Sequence, residues 1–597
     1  MEADSPRTSA PNPTTRDFVQ PTARTGVLIA LLVLLAVAIG ALRAWQERDF
    51  INPDGISYLD MGDALVRGDW ATAINAYWSP LYPALLGLTL AVFRPPPAWE
   101  FPLAHGLNFA IYLVQLAAFH FFWATLRRFA GGAAEPRAEQ PRIGLPSWAW
   151  WTLGYALAVW SSAFLAGLGV LTPDVLVAAC VYVAAGIVLR MRMGHDGWPA
   201  FVLLGVVLGV GYLAKAPMLL LGVAFVAVAW FAVWSRPGAL PKVALGVLVF
   251  AVVAGPWVAV ISAAKGRLTF GDSGRLNYVW YTSGRSHLFW LDDDAAFGAP
   301  QHPMKTVWDA PKALAFGEPL AVTYAPWYDP SHWHEGLRVV FDPTGQRRTL
   351  AETAAVYVAV FFGHLGALVA VFAVLYLTPP RWWLGLRGAL RCWPAWVPAV
   401  AGLAMYSVVH VETRFIGAFV VLVWGAVLCG VRLPDSAQSR RLIAAAATVA
   451  LLSLIVRMAP TTVRAVRDAA RAAASGRAIP PGPDAQIAAG LRDIGVDAGA
   501  PIAVVGDASR AGWARLARLR IVAQVLPGSA DAFWARSPAE RARVIGALIG
   551  AGARAVVARP PAGVGASGWR RVAGSSLRAW LPAPGASQPA TRAGVRS

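Results

Sequence analysis

Asp54 lies in the run Asn52-Pro-Asp54-Gly-Ile-Ser-Tyr58-Leu-Asp60-Met-Gly62-Asp63, just after the first long apolar stretch of the chain. Pro53 and Gly55 bracket it, which predicts a turn immediately ahead of a helix. A carboxylate in the first turn of a helix keeps its charge easily. At a membrane surface such a group can take a proton from a hydroxyl. The competing reading is a plain helix cap, a common job for aspartate. Asp60 and Asp63 are spaced for one helix face and read as solvated or capping side chains. Tyr58, and Tyr82 in Trp78-Ser-Pro80-Leu-Tyr82-Pro83, add rings suited to a membrane interface.

The elements that must hold these residues follow from composition. Of 597 residues, 57% are hydrophobic and only 14% charged, against roughly 25% charged in a soluble protein. Mean hydropathy is +0.51. A soluble globule with so few charges could not cover its surface, and a disordered chain would have too few apolar residues, not too many. Three cysteines, Cys180, Cys392 and Cys429, are too scattered for a disulfide scaffold or a metal motif. The net charge of +19 fits cytoplasmic loops and anionic lipid better than nucleic acid.

Gly26 to Leu42 reads as an uncleaved first helix, preferred over a signal peptide because many spans follow. Further spans are expected near 104–126, 147–167, 175–192, 198–214, 217–234, 243–264, 353–377, 395–411, 415–431 and 442–458. Arginines and lysines mark alternate connections: Arg127/Arg128, Arg190/Arg192, Arg236/Lys242, Arg387/Arg391 and Arg432/Arg440/Arg441. By the positive-inside rule these are cytoplasmic. A tail of residues 1–24 then lies in the cytoplasm, and loops 44–103 and 265–352 lie outside, with Asp174, Lys215 and Arg414. Leu81 to Phe93 is short for a span and reads as re-entrant or interfacial. Beyond a membrane domain of residues 25–458 come a stalk and linker at 459–484, an extracytoplasmic α/β segment at 485–582 and a Pro/Ala/Gly-rich tail at 583–597. The expected fold is an all-α polytopic membrane protein of about eleven transmembrane helices, with re-entrant or interfacial helices and a small C-terminal soluble α/β domain. Its expected place is the inner (plasma) membrane.

Asp54 after the first helix, the stretches SYLxMGxxLxxGDW (Ser57–Trp70) and SPLYPALLGL (Ser79–Leu88), then LTPDVL (Leu171–Leu176), GYLAKAPMLL (Gly211–Leu220), GDSGRLNYVWYTSG (Gly271–Gly284), YDPSHWHEG (Tyr328–Gly336) and VETRFIGAF (Val411–Phe419) together resemble the GT-C superfamily. These are integral-membrane glycosyltransferases that use polyprenyl-phosphate sugars, such as aminoarabinose and protein O-mannosyl transferases. The resemblance covers about residues 25–430 and rests on the order of the motifs. It implies an inverting hexosyl- or pentosyltransferase, with Asp54 as base or acceptor organiser. Some members carry two adjacent acids there; here Gly55 follows Asp54, which leaves no paired carboxylate. The implied partners are a polyprenyl-phosphate sugar donor, membrane lipid and an acceptor of unknown type, with no nucleic acid.

Given such a donor, three cations are candidates for its phosphate. Lys215 interrupts an apolar stretch, and its competing role is snorkelling to the interface. Arg414, in the short turn His410-Val-Glu412-Thr-Arg414, offers a bidentate fork, with Glu412 to orient it. Arg275 is the third. Asp174, Tyr58, Glu412 and Tyr82 are expected at the cavity or acceptor side, Asp174 with helix capping as its rival role. The 265–352 segment is rich in Trp and Tyr, including Trp280 and Trp327, which reads first as interfacial anchoring. His332 and His334 beside Glu335 lack a third metal ligand, so no metal site is assigned; no cofactor is required, and a divalent cation stays open. Rival functions are a lipid-linked saccharide transporter or flippase, an O-antigen-ligase-like transferase, and a scaffold presenting the C-terminal segment.

Overall fold

The computed structural model describes residues 23–131, 142–165, 167–291, 294–379, 383–474 and 480–582. Residues 1–22 of the tail expected at 1–24, and the tail expected at 583–597, lie outside the described residues. Five described helices are long and apolar enough to cross a bilayer: Ala23–Gln46, Pro97–Gly131, Asp174–Arg192, Ala239–Lys265 and Ala437–Ala474. A bent pair, Pro343–His364 with Gly366–Leu377 at 72°, makes up to six. The chain is a multi-pass membrane protein.

Several other expected spans form shorter helices. Trp198–Ala214 and Thr413–Cys429 have 17 residues each and Met218–Val233 has 16. Seventeen residues reach only about 25 Å, against a hydrocarbon core of about 30 Å. Two of these helices are bounded by a charged residue. Lys215 is the extended C-cap of one, and Glu412 the extended N-cap of another. The last long helix extends past its expected end. It runs unbroken through the predicted boundary at 458 as Ala437–Ala474, 38 residues with Pro460 inside, because the Ala/Arg-rich continuation is made of strong helix formers.

Pro53–Arg67 carries Asp54 in its first turn and is packed by Leu81–Phe93. The two helices touch backbone to backbone through Gly62 and Gly87: a Cβ on Gly87 would overlap the Gly62 carbonyl, and one on Gly62 would lie 2.6 Å from the Pro83 oxygen. Gly87→Val therefore forces the pair apart and is expected to cost about 1–3 kcal/mol. Thermal unfolding in detergent reads this directly. Gly106→Ala, where nothing lies within 4 Å of the new methyl, is the matched control and should melt with the wild type.

The C-terminal segment builds a seven-stranded sheet, but not alone. Strands β1 (Lys305–Trp308) and β2 (Ala313–Ala315) come from the long loop. Strands β3 (Pro501–Val505), β4 (Arg520–Val525), β5 (Ala555–Ala558), β6 (Arg570–Arg571) and β7 (Arg578–Trp580) come from the C-terminal segment. Their order is β1-β2-β4-β3-β5-β7-β6. β3 is parallel to β4 and β5, and every other neighbouring pair is antiparallel. The α/β segment expected at 485–582 shares its sheet with the loop: β4 would otherwise be an open edge, and the loop closes it with Leu314 opposite Gln524.

The same loop then runs from the sheet to the Pro53–Arg67 helix. Ile521 donates to the Thr323 carbonyl at 3.0 Å. Thr323 donates twice to Asp60, from its backbone N–H at 2.8 Å and its hydroxyl at 2.9 Å. Arg515, on the short helix Gly512–Leu516, reaches the same cluster at Asp60 (2.8 Å), Asp63 (2.7 Å) and Glu100 (2.6 Å). Asp60 and Asp63 are therefore not solvated or capping groups, as their spacing had suggested. Burial pushes the Asp60 carboxyl up, opposed by the Arg515 charge and the Thr323 hydrogen bonds. The cluster fastens the C-terminal segment to the helix that bears Asp54.

Candidate active site

Asp54, Asp174, Lys215 and Arg414 each sit at a helix end. Asp54 and Asp174 occupy first turns, behind Pro53 at N1 and Pro173 at the N-cap. Lys215 closes Trp198–Ala214 and is followed by Pro217, the N-cap of the next helix. Arg414 is in the first turn of Thr413–Cys429. The fold gathers these ends at one end of the bundle. Asp174–Arg192 also fixes where the other end lies: its last turn carries Arg190 and Arg192, about 27 Å from Asp174. There Arg236 donates to the Met191 carbonyl and to Asp196, both at 2.7 Å.

The four side chains form one connected ionic chain. Lys215 Nζ lies 2.5 Å from Asp174 Oδ1. Asp174 Oδ2 is buried, has no hydrogen-bond partner, and stands 3.9 Å from Arg414 Nε. Arg414 Nε donates to Glu412 Oε2 at 2.6 Å, and its Nη2 donates to Asp54 Oδ2 at 3.1 Å. The other oxygen of Asp54 accepts from the Trp327 indole N–H at 3.0 Å. Burial would raise the Glu412 carboxyl, but hydrogen bonding from His410 and the Arg414 charge bring it down to about 2. A carboxyl depressed in this way is ionised through the neutral range, and its stabilising effect is lost only as pH falls from about 4.5 toward 2.

A cavity of about 500 Å³ opens onto this chain and is walled by Asp54, Tyr58, Lys215, Glu412, Arg414 and Trp327. Aromatic rings make up much of the rest. Tyr281 and His410 stack face to face at 3.7 Å, and Lys215 Nζ sits 3.8 Å over the Phe415 ring. On one side the wall turns apolar with Leu219, Leu220, Phe270, Met405 and Val409. Leu220 and Phe270 are 62% and 46% exposed. The cavity thus combines a charged wall with an apolar one, as an amphiphile requires.

Three expected site residues are placed elsewhere. Arg275 is not on the cavity wall; its guanidinium donates to the Leu337 carbonyl at 2.7 Å and to Asp272 at 3.4 Å, so the fork braces the long loop. Tyr82 is fully buried behind Tyr58, edge to face at 5.3 Å, and donates to Asn108 at 2.6 Å. Asp174 lies behind Lys215 and Arg414 and reaches the cavity only through them. His334 Nδ1 is 3.2 Å from the Pro330 carbonyl, and burial lowers both His332 and His334 to about 4, so both rings are neutral at pH 7. Among the described residues no three His, Cys, Asp or Glu side chains converge as a metal site.

The residue that sequence reasoning passed over is Trp327. It was read as an interfacial anchor because its loop is rich in Trp and Tyr. Only the fold shows that its N–H is spent on Asp54 and that its carbonyl accepts from Ser57 at 3.1 Å. His410 and Tyr281 were visible in quoted stretches, but no local pattern pairs them across 129 residues.

No family model and no curated protein matches the sequence. Among solved structures, the chain is similar to ArnT from Cupriavidus metallidurans bound to undecaprenyl phosphate, with 13% identity, TM-score 0.48, and 94% of this chain and 98% of that chain covered. It is also similar to the archaeal oligosaccharyltransferase AglB from Archaeoglobus fulgidus in complex with an inhibitory peptide and a dolichol-phosphate, with 12% identity, TM-score 0.43, and 90% and 69% covered.

Proposed function

We propose that the protein is an inverting membrane glycosyltransferase that moves a hexosyl or pentosyl group from a polyprenyl-phosphate donor to an extracytoplasmic lipid, glycan or protein acceptor. The observation that carries the reading is the meeting of the Asp54 carboxylate with two cations, Lys215 and Arg414, on a cavity whose wall is also partly apolar. The prenyl chain lies along Leu219, Leu220 and Met405, the phosphate turns inward to the cations, and the sugar fills the aromatic chamber beside Asp54.

The chemistry is a single displacement. Asp54 takes the proton of the acceptor hydroxyl, the acceptor oxygen bonds to the anomeric carbon, and the bond from that carbon to the phosphate oxygen breaks. The leaving phosphate gains one negative charge, which Arg414 and Lys215 hold. One displacement inverts the anomeric centre, and no glycosyl-enzyme is formed. The cavity faces the outside of the plasma membrane, since the arginine-rich turns sit at the opposite end of Asp174–Arg192 and favour the cytoplasm; the N-terminus is then cytoplasmic and the C-terminal sheet extracytoplasmic.

Mass spectrometry of envelope lipids and glycans from cells lacking the protein tests this. The expected result is accumulation of one polyprenyl-phosphate sugar and loss of one glycosylated product. An unchanged lipid-linked sugar pool, with no product missing, would rule the reading out.

A further inference from the structure

The cations proposed to hold the phosphate are not idle groups. Arg414 Nη2 is bonded to Asp54 Oδ2, and Lys215 Nζ to Asp174 Oδ1. The five charged side chains of the cluster are three carboxylates and two cations (Asp54, Asp174 and Glu412 against Lys215 and Arg414), so they sum to −1. A phosphate arriving there meets an excess of negative charge and two cations already paired.

The pairing of Arg414 is divided. Its Nε end is fastened to Glu412 at 2.6 Å, whereas the Nη2 arm makes the longer contacts, 3.1 Å to Asp54 and 3.4 Å to Glu412. Asp54 is divided too: Trp327 holds Oδ1 and Arg414 holds Oδ2. The guanidinium N–H on Oδ2 favours the charged carboxylate and so weakens it as a base. Oδ2 becomes a better acceptor of the substrate proton once the Nη2 arm has turned away.

We infer that the donor phosphate and Asp54 compete for the Nη2 arm of Arg414, so that donor binding itself releases the base, while Glu412 keeps the guanidinium anchored and Trp327 keeps the carboxylate seated. This rests on the transferase reading and adds to it an order of events: donor first, acceptor activation second. Trp327 and Glu412 are positioning residues, acting through Asp54 and Arg414. Because binding linkage is reciprocal, the competition must show as a coupling between the Asp54 side chain and donor affinity.

The test is a double-mutant cycle on the full-length protein in detergent, with a polyprenyl monophosphate as the probe and its Kd as the readout. Removing the competitor in Asp54→Asn is expected to tighten binding roughly tenfold, the size of one charge-assisted hydrogen bond. On an Arg414→Ala background the same substitution should change Kd by less than about twofold. Equal or weaker binding by Asp54→Asn overturns the inference, as does a gain of the same size without Arg414, which would be a general charge effect. If the wild type binds the probe and only the coupling is missing, the inference falls and the transferase reading stands. If the wild type does not bind it at all, both fall. Trp327→Phe keeps the ring and loses the N–H. It should leave Kd for the probe within about twofold and lower kcat for transfer roughly tenfold with KM unchanged. A change confined to KM would remove Trp327 from the positioning role.

Discussion

Asp54→Asn is expected to lower the rate of the proposed sugar transfer about a thousandfold, within the range by which a positioned general base accelerates a reaction. Asparagine keeps the size of the side chain and its place in the first turn of Pro53–Arg67, and its amide oxygen still accepts from Trp327. What it lacks is a site for the acceptor's proton. The measurement is transfer of labelled sugar from a polyprenyl-phosphate donor by purified protein. Transfer at the wild-type rate would remove Asp54 from the chemistry. The loss of rate should occur together with tighter phosphate binding, and these opposite signs separate a missing base from a damaged fold, which would weaken both.

Arg515→Ala is expected to destabilise the protein by about 3–5 kcal/mol, the cost of leaving a buried charge without its partner. Arg515 is 4% exposed at its side chain, and its guanidinium meets Asp60 and Glu100, at 6% and 1%. Without it, buried carboxylates face one another across the seam between the C-terminal segment and the helix of Asp54. Arg518 contacts Glu100 from a half-exposed position, 45% at the side chain, so Arg518→Ala should cost much less, within about 1 kcal/mol. Thermal unfolding in detergent and protease sensitivity of the 480–582 segment measure the difference. If the two variants melt alike, Arg515 is not the fastener. Since the Asp60 cluster lies on the same helix as Asp54, Arg515→Ala should also lose transfer activity below its melting point.

The helix ends of the site were readable because the signals for them are local. Pro53 before Asp54, Pro173 before Asp174 and Pro217 after Lys215 each mark where a helix stops or starts, and the structure places breaks at all three. The membrane class was readable from composition for the same reason: every apolar run must be buried in lipid or protein whatever its neighbours are. The strands β3, β4 and β5 were readable as short apolar runs between helices.

What the tertiary structure alone decided is who meets whom. Arg414 and Asp54 are 360 positions apart, and Arg515 and Asp60 are 455 apart. An ion pair has no sequence signal at such separations. It forms where the packing of apolar helix faces happens to bring two helix ends together, and a charge left unpaired there would be costly. The same reason explains Arg275. It looked as able to hold a phosphate as Arg414, yet the loop fold turns its fork onto Leu337 and Asp272. It also explains the sheet, whose edge at β4 is completed by a loop some two hundred residues upstream because hydrogen-bonding edges pair by proximity in space. The sequence by itself determined which residue types stand at the ends of which helices; their convergence on one cavity, with Trp327 on one oxygen of Asp54 and Arg414 on the other, was decided by three-dimensional packing, because contact between helix ends depends on the whole bundle and not on any one segment of it.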